Sequence, residues 1–208
     1  MHLSIPTALS EELNKFEAYI ATRIKPELSS WLKTGSVPRH FFTTMGDAGW
    51  FGYQWDGKRM TRGSGLRDTL ILERLARTSP GVAVTVLIVS DLGMSALHLF
   101  GSHQLRGKYA AAVVRGETLI CLGNSDNLAG SDAAGITMSA ERVDGGWVLN
   151  GAKAYVTNGL ISDLAVVTAV SDPDSGRGRQ VSMFLVDLNS EGIRRKRLSK
   201  QVWLPSDL

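Results

Sequence analysis

The stretches "LGNSDNLAGSD" (residues 122–132) and "WVLNGAKAYVTNG" (residues 147–159) decide how this chain is read. In the first, an apolar strand end gives way to small residues and hydroxyls: Ser125, then Ala129, Gly130, Ser131 and Asp132. Small residues let a ligand approach the backbone, and exposed N–H and hydroxyl donors then receive an anionic or carbonyl-rich partner. In the second, alternation along an extended segment puts Tyr155 and Thr157 on one face, an aromatic plane beside a hydroxyl, which suits a flat, heteroatom-rich ring. Turns rich in Gly, Ser and Asp are ordinary, and so is Tyr-x-Thr in a strand. From the residues alone, a ligand site and a plain loop-and-strand surface therefore both remain open.

Working outward, the apolar period changes near residue 117. Upstream it is helical. Leu9, Leu13, Phe16, Ile20, Ile24 and Leu28 form one stripe, with Glu11 and Glu12 expected in the first turn where the helix dipole favours acids. A short helix is expected from Pro38 to Met45, ending at Gly46, and a third over residues 66–78, closed by Ser79-Pro80-Gly81. Residues 82–100 are apolar almost all round, the mark of a helix buried on most faces. A last helix over residues 104–115 stops at Gly116, where a left-handed cap needs glycine. Downstream the period falls to two. Ile136, Met138 and Ala140 alternate with polar neighbours, and Asp144-Gly145-Gly146 separates them from Trp147-Val148-Leu149 as a hairpin. Residues 164–170 and 181–188 form two further strands around a loop rich in Asp, Pro, Gly and Ser. The expected fold class is α+β, with an all-helical domain (residues 1–116) followed by an antiparallel, barrel-like β-domain (residues 117–208).

Composition limits the function classes. With 208 residues and 43% apolar content, the chain can bury one substantial core or two modest ones. A net charge of +3, much of it in Arg194-Arg195-Lys196-Arg197 and Lys200, gives no broad basic field for nucleic acid. On a strand, those consecutive charges would also point to opposite faces. The single Cys121 excludes a disulfide framework and points to a reducing, cytoplasmic setting. No secretory leader is read at the N-terminus, and the longest apolar run, residues 82–89, is far short of the roughly 20 residues of a membrane span. There is no P-loop, dinucleotide glycine fingerprint, His-Glu-x-x-His or nucleophile elbow. His40, His98 and His103 are too scattered for a metal site and are expected to be structural.

Taken together, Ala129-Gly130-Ser131-Asp132, Gly135-Ile136-Thr137, Trp147-Val148-Leu149-Asn150-Gly151-x-Lys153 and Tyr155-Val156-Thr157-Asn158-Gly159 resemble the acyl-CoA dehydrogenase family in order and spacing. Residues 100–117 are similar to the helix that leads into that family's β-domain. The resemblance implies a helical N-terminal domain, a middle β-domain and a C-terminal four-helix bundle, with FAD between the last two. It implies that Ser125 meets the flavin pyrimidine edge, that Ser131 contacts the flavin phosphates near the acyl thioester, and that Tyr155 stands where an aromatic packs on the isoalloxazine. It places Thr157 near N5, with Leu122, Asn124 and Val156 supplying backbone and contact surface. The departures are Ser125-Asp126-Asn127, where the family usually has Thr-Glu-Pro, and Leu128, where it has small residues.

The resemblance also bears on "RLSKQVWLPSDL" (residues 197–208). It implies a strand from Ile193 to Val202, then further strands and the bundle that carries the glutamate base, so none of the catalytic residues is expected here. The β-domain is thus expected to be incomplete. The reading that follows is the N-terminal subunit of a split, FAD-dependent dehydrogenase of an acyl thioester, on coenzyme A or a carrier protein, working in a hetero-oligomer with a second chain. The alternatives are a non-catalytic module that kept the fold and a truncated piece of a longer flavoenzyme.

Overall fold

The computed structural model describes residues 5–127, 129–172 and 180–198. The first apolar stripe forms one helical rod: α1 (Thr7–Tyr19), a π-helical turn (Ile20–Ile24) and α2 (Lys25–Thr34), closed by Gly35 at φ +70°. Leu13, Phe16, Ile20 and Ile24 are all buried along it. Because the helix begins at Thr7, Glu11 and Glu12 lie in its second turn rather than its first. α3 (Arg39–Asp47) takes Pro38 as its N-cap and runs through Gly46 rather than ending there. A β-carbon at Gly46 would sit 2.3 Å from the Arg115 carbonyl oxygen, so this glycine serves close helix contact, not termination.

Between α3 and α4 lies a hairpin not among the expected elements, although Asp56-Gly57 marks its turn: β1 (Tyr53–Trp55) and β2 (Met60–Arg62). Three-residue strands are too short to show a period, but its turn follows local chemistry, with the Asp56 carboxylate accepting from the amides of Lys58 and Arg59. α4 (Gly65–Thr78) is capped by Ser64, and Ser79 caps α5 (Pro80–Leu87). α5 continues through a π-helical stretch (Ile88–Met94) into α6 (Ser95–Phe100). The rod Pro80–Phe100 is 21 residues long with mean hydropathy 1.8, so it exceeds the short run expected from residues 82–89. By length and composition alone it could cross a membrane. Here Val82, Val86, Val89, Met94 and Leu97 are core residues, and Asp91 pairs with Arg62. α7 (His103–Val114) follows, and Gly116, at φ +68°, turns the chain toward the sheet.

The sheet is mixed, which corrects the antiparallel expectation. β6 (Leu164–Asp172) is central, and β7 (Gln180–Asp187) pairs antiparallel along its length. On the other edge β3 (Ile120–Gly123) lies parallel to β6, from Ile120↔Leu164 to Gly123↔Val167. β4 (Ser139–Val143) then takes up that edge in parallel at Ser139↔Val170 and forms the expected hairpin with β5 (Gly146–Asn150). A period of two marks strands but not their direction, and the parallel pairs arise because residues 124–163 carry the chain back to the same edge. No strand forms over residues 193–198. The rest of the strand expected up to Val202 lies outside the described residues, as do Leu128 and most of the loop after β6.

Side-chain alternation gives the sheet two faces. Ile120, Leu164 and Val166 join the helical core, while Cys121, Ala165 and Val167 form a smaller cluster on the opposite face. Helices and sheet are clasped by Arg39, which donates to the carbonyls of Ile161 and Glu117 and to Asp163, 2.7–2.8 Å away. The same Asp163 oxygen accepts from the Leu119 amide at 2.8 Å.

Candidate functional site

Two loops meet at the end of β3. The first leaves β3 at Asn124 and the second connects β5 to β6; the Ala154 amide joins them by donating to the Ser125 carbonyl at 2.9 Å. Beneath that joint lies a polar cluster. The Lys153 ammonium donates to the Asn124 carbonyl at 2.9 Å and to Thr168 Oγ1 at 3.3 Å, while Thr168 donates to Asn124 Oδ1 at 3.0 Å. Asp126 accepts from the Ala129 amide at 3.0 Å, the Thr137 amide at 2.7 Å and the Thr137 hydroxyl at 3.3 Å. Lys153 Nζ stands 3.9 Å from Asp126 Oδ2, with the two side chains 6% and 2% exposed. Burial pushes the Lys153 ammonium below the usual lysine range, and the Asp126 charge acts to hold it up. Gly123 makes room for this lysine, since a β-carbon there would meet its Cγ at 3.3 Å.

The second loop corrects the expected strand over Tyr155 and Thr157. Tyr155 and Asn158 have φ of +57° and +64°, so the segment is a turn and the two side chains share no strand face. Asn158 tolerates the left-handed conformation and explains the fold of the turn. Fully buried, it donates from Nδ2 to the Thr85 carbonyl of α5 at 2.9 Å, and its own carbonyl accepts from the amides of Ile161 and Ser162. Its Oδ1 and the Thr85 hydroxyl have no partner among the described residues.

The residues singled out from sequence have different settings. Tyr155 is 66% exposed and Ser131 is exposed, whereas Leu122, Asn124, Ser125, Val156 and Thr157 are half-buried. Leu122 packs toward the helical core and Val156 toward the Cys121 cluster. Tyr155 and Val156 also line a cleft of about 560 Å³ on the sheet face away from the helices. Ala165, Val167, Val186 and Leu188 contribute its apolar lining, and Arg194, Arg195 and Lys196 its basic one. Ser125, Ser131 and Thr157 lie outside it. Arg195 is occupied structurally, donating to the carbonyls of Gly159, Leu160 and Ser162, so the basic run is not a strand with charges on alternate faces. Burial pushes the Cys121 thiol up to about 11, away from the thiolate form that reacts.

Sequence reasoning gave no role to Lys153, Thr168 or Asn158. The available signal was a lone lysine between small residues, Gly151-Ala152-Lys153-Ala154, in a segment otherwise fit for close backbone approach.

The described loops fall within known sequence profiles: that of the acyl-CoA dehydrogenase N-terminal domain matches residues 10–117, and that of the acyl-CoA dehydrogenase middle domain matches residues 121–203. The chain belongs to the acyl-CoA dehydrogenase family. Benzylmalonyl-CoA dehydrogenase of Aromatoleum aromaticum is 29% identical over 181 residues, covering 86% of this chain and 46% of that protein. An acyl-CoA dehydrogenase of Geobacillus kaustophilus shares the fold at TM-score 0.91 and 24% identity, covering 100% of this chain and 55% of that one. A glutaryl-CoA dehydrogenase of Mycobacterium smegmatis, solved in complex with FADH2, aligns at TM-score 0.87 and 23% identity, covering 97% and 51%. The acyl-CoA dehydrogenase fold is therefore present as a helical N-terminal region and a mixed-sheet region. The chain spans about half the length of the curated relatives it matches.

Proposed function

We propose that this chain supplies the helical and middle β parts of an FAD-dependent α,β-dehydrogenase of an acyl thioester, carried on coenzyme A or a carrier protein. A second chain supplies the C-terminal helical bundle and the catalytic base, and the two work as a hetero-oligomer in a reducing, cytoplasmic setting. The observation that carries this reading is the pair of clasped loops, which bears an exposed aromatic ring and the hydroxyls of Ser125, Ser131 and Thr157, the last two within the family's own motifs.

The donor set fits a flavin. Ser125, Ser131 and Thr157 offer hydroxyls, Tyr155 offers an uncovered ring, and the backbone at Gly130 is open, with nothing within 4 Å of where a β-carbon would stand. Bound there, FAD would accept the hydride equivalent leaving the β-carbon of the thioester. Ser125 would donate to the pyrimidine edge and stabilise negative charge on the reduced ring, one of the levers a protein has over a flavin. Thr157 would donate near N5, Tyr155 would pack on the ring, and Ser131 would hold the phosphates beside the thioester. Leu122, Asn124 and Val156 would form the adjoining surface.

Removal of the α-proton needs a base within hydrogen-bond reach. Asp126 is unsuited, being buried and already accepting from Ala129 and Thr137. Asp126 thus leaves the base to come from another group, which the proposal assigns to the second chain. The apolar cleft, open among the described residues, and the outer edge of β7, where Val181 and Met183 are 40% and 49% exposed and where, among the described residues, pairing is only with β6, offer surface for that chain to cover.

The test is the visible flavin spectrum of the chain purified alone and after co-expression with the protein encoded beside it. Flavin retained only in the co-purified complex is the expected result. A well-folded chain that carries no flavin in either preparation would overturn the proposal.

A further inference from the structure

Asp126 and Lys153 are the buried charges of the site, and both hold backbone around Ser125. Lys153 holds the carbonyl of Asn124, the residue before Ser125. Asp126, the residue after Ser125, holds the amides of Ala129 and Thr137, the two ends of the segment that carries Ser131. The Ala154 amide, next to Lys153, holds the carbonyl of Ser125 itself. Ser125 is therefore pinned on both sides by one charge pair, and the following loop is closed by the same carboxylate. Surface ion pairs do little of this kind, but with side chains only 6% and 2% exposed this pair is weakly screened by solvent.

We propose that Lys153 and Asp126 are positioning residues, a buried charge pair that sets the Ser125 donor and the Ser131 loop for the flavin. This rests on the flavin reading above. Removing the lysine leaves the Asn124 carbonyl only the longer 3.3 Å bond from Thr168 and deprives the carboxylate of its counter-charge, so Ser125 is held less firmly although its hydroxyl remains.

Three measurements on the full chain, and on its flavin-loaded complex, test the inference: amide hydrogen exchange, FAD affinity and flavin reduction potential. The variants are Lys153→Met, Asp126→Asn and the double variant, with Ser125→Ala and Thr157→Val as references. Lys153→Met is expected to speed exchange at the Ala129, Thr137 and Ala154 amides about tenfold while α1 to α5 keep their protection, a tenfold change corresponding to one lost hydrogen bond. FAD affinity should fall about tenfold, and the potential should move in the direction given by Ser125→Ala. The double variant should cost less than the sum of the singles, as expected of groups acting as a unit. Faster exchange with unchanged affinity and potential would make the pair merely structural and overturn the inference, as would strictly additive effects. If Ser125→Ala and Thr157→Val also leave affinity and potential unchanged, the flavin reading itself has failed.

Discussion

Asn158→Ala is the sharpest structural perturbation. The side chain joins the turn bearing Tyr155 and Thr157 to α5 through a buried 2.9 Å bond to the Thr85 carbonyl, in a backbone conformation that asparagine accepts and alanine resists. Loss of the buried bond costs about 1–2 kcal/mol. Holding alanine at φ +64° adds roughly 1 kcal/mol. Removing Oδ1, which has no partner among the described residues, returns part of this. The net expectation is about 2 kcal/mol of destabilisation, or a fall in Tm of about 4–8 °C for a chain of this length. Asn158→Gly keeps the conformational freedom and loses only the bond, so it should retain roughly 1 kcal/mol of what alanine loses. Urea unfolding and thermal scans of both variants give the comparison. If Asn158→Ala stays within about 0.5 kcal/mol of the parent, or glycine proves as damaging as alanine, the anchoring role assigned to Asn158 is refuted.

Other outcomes follow from the same packing. Gly93→Ala should cost about 2–3 kcal/mol in urea unfolding, because the new β-carbon would lie 2.4 Å from the Ile120 carbonyl oxygen and the backbone of β3 must move. Native Cys121 should resist a disulfide reagent at pH 8 and react at once in urea. Because burial raises its folded-state value to about 11 from 9.0, the unfolded chain loses the thiol proton first. Its contribution is therefore intact below pH 9 and lost as pH rises toward 11, by about 2–3 kcal/mol in total. Cys121→Ser should remove that share of the alkaline decline, measured as unfolding free energy against pH. Thr157→Val should weaken flavin binding or slow flavin reduction in the reconstituted complex; unchanged affinity and rate would remove Thr157 from the site.

The helical half was legible because burial and period coincide there: Leu13, Phe16, Ile20 and Ile24 are all core residues on one stripe. Helix ends were less so. Gly46 looked like a stop and is a contact point against Arg115, a distinction that depends on a neighbour 69 positions away and leaves no local mark. Strands β4 to β7 were legible as segments, but strand direction is set by where the connection returns, so β3 against β6 became parallel without any change in pattern. At the site, alternation failed at Tyr155 and Asn158 because a tertiary bond to Thr85 holds the turn against strand geometry. Motif matching located the loops, whereas the buried contacts among Lys153, Asp126, Asn124 and Thr168 became visible only when residues far apart in sequence were brought within hydrogen-bond distance.

The most direct test of the account is anaerobic addition of saturated acyl-CoA thioesters to the flavin-loaded complex of this chain with the proposed bundle-supplying chain. Loss of the oxidised flavin absorbance, with the α,β-unsaturated thioester appearing in equal amount, is the predicted result. A stably loaded complex whose flavin stays oxidised across short, long and branched thioesters on both coenzyme A and carrier protein would contradict it.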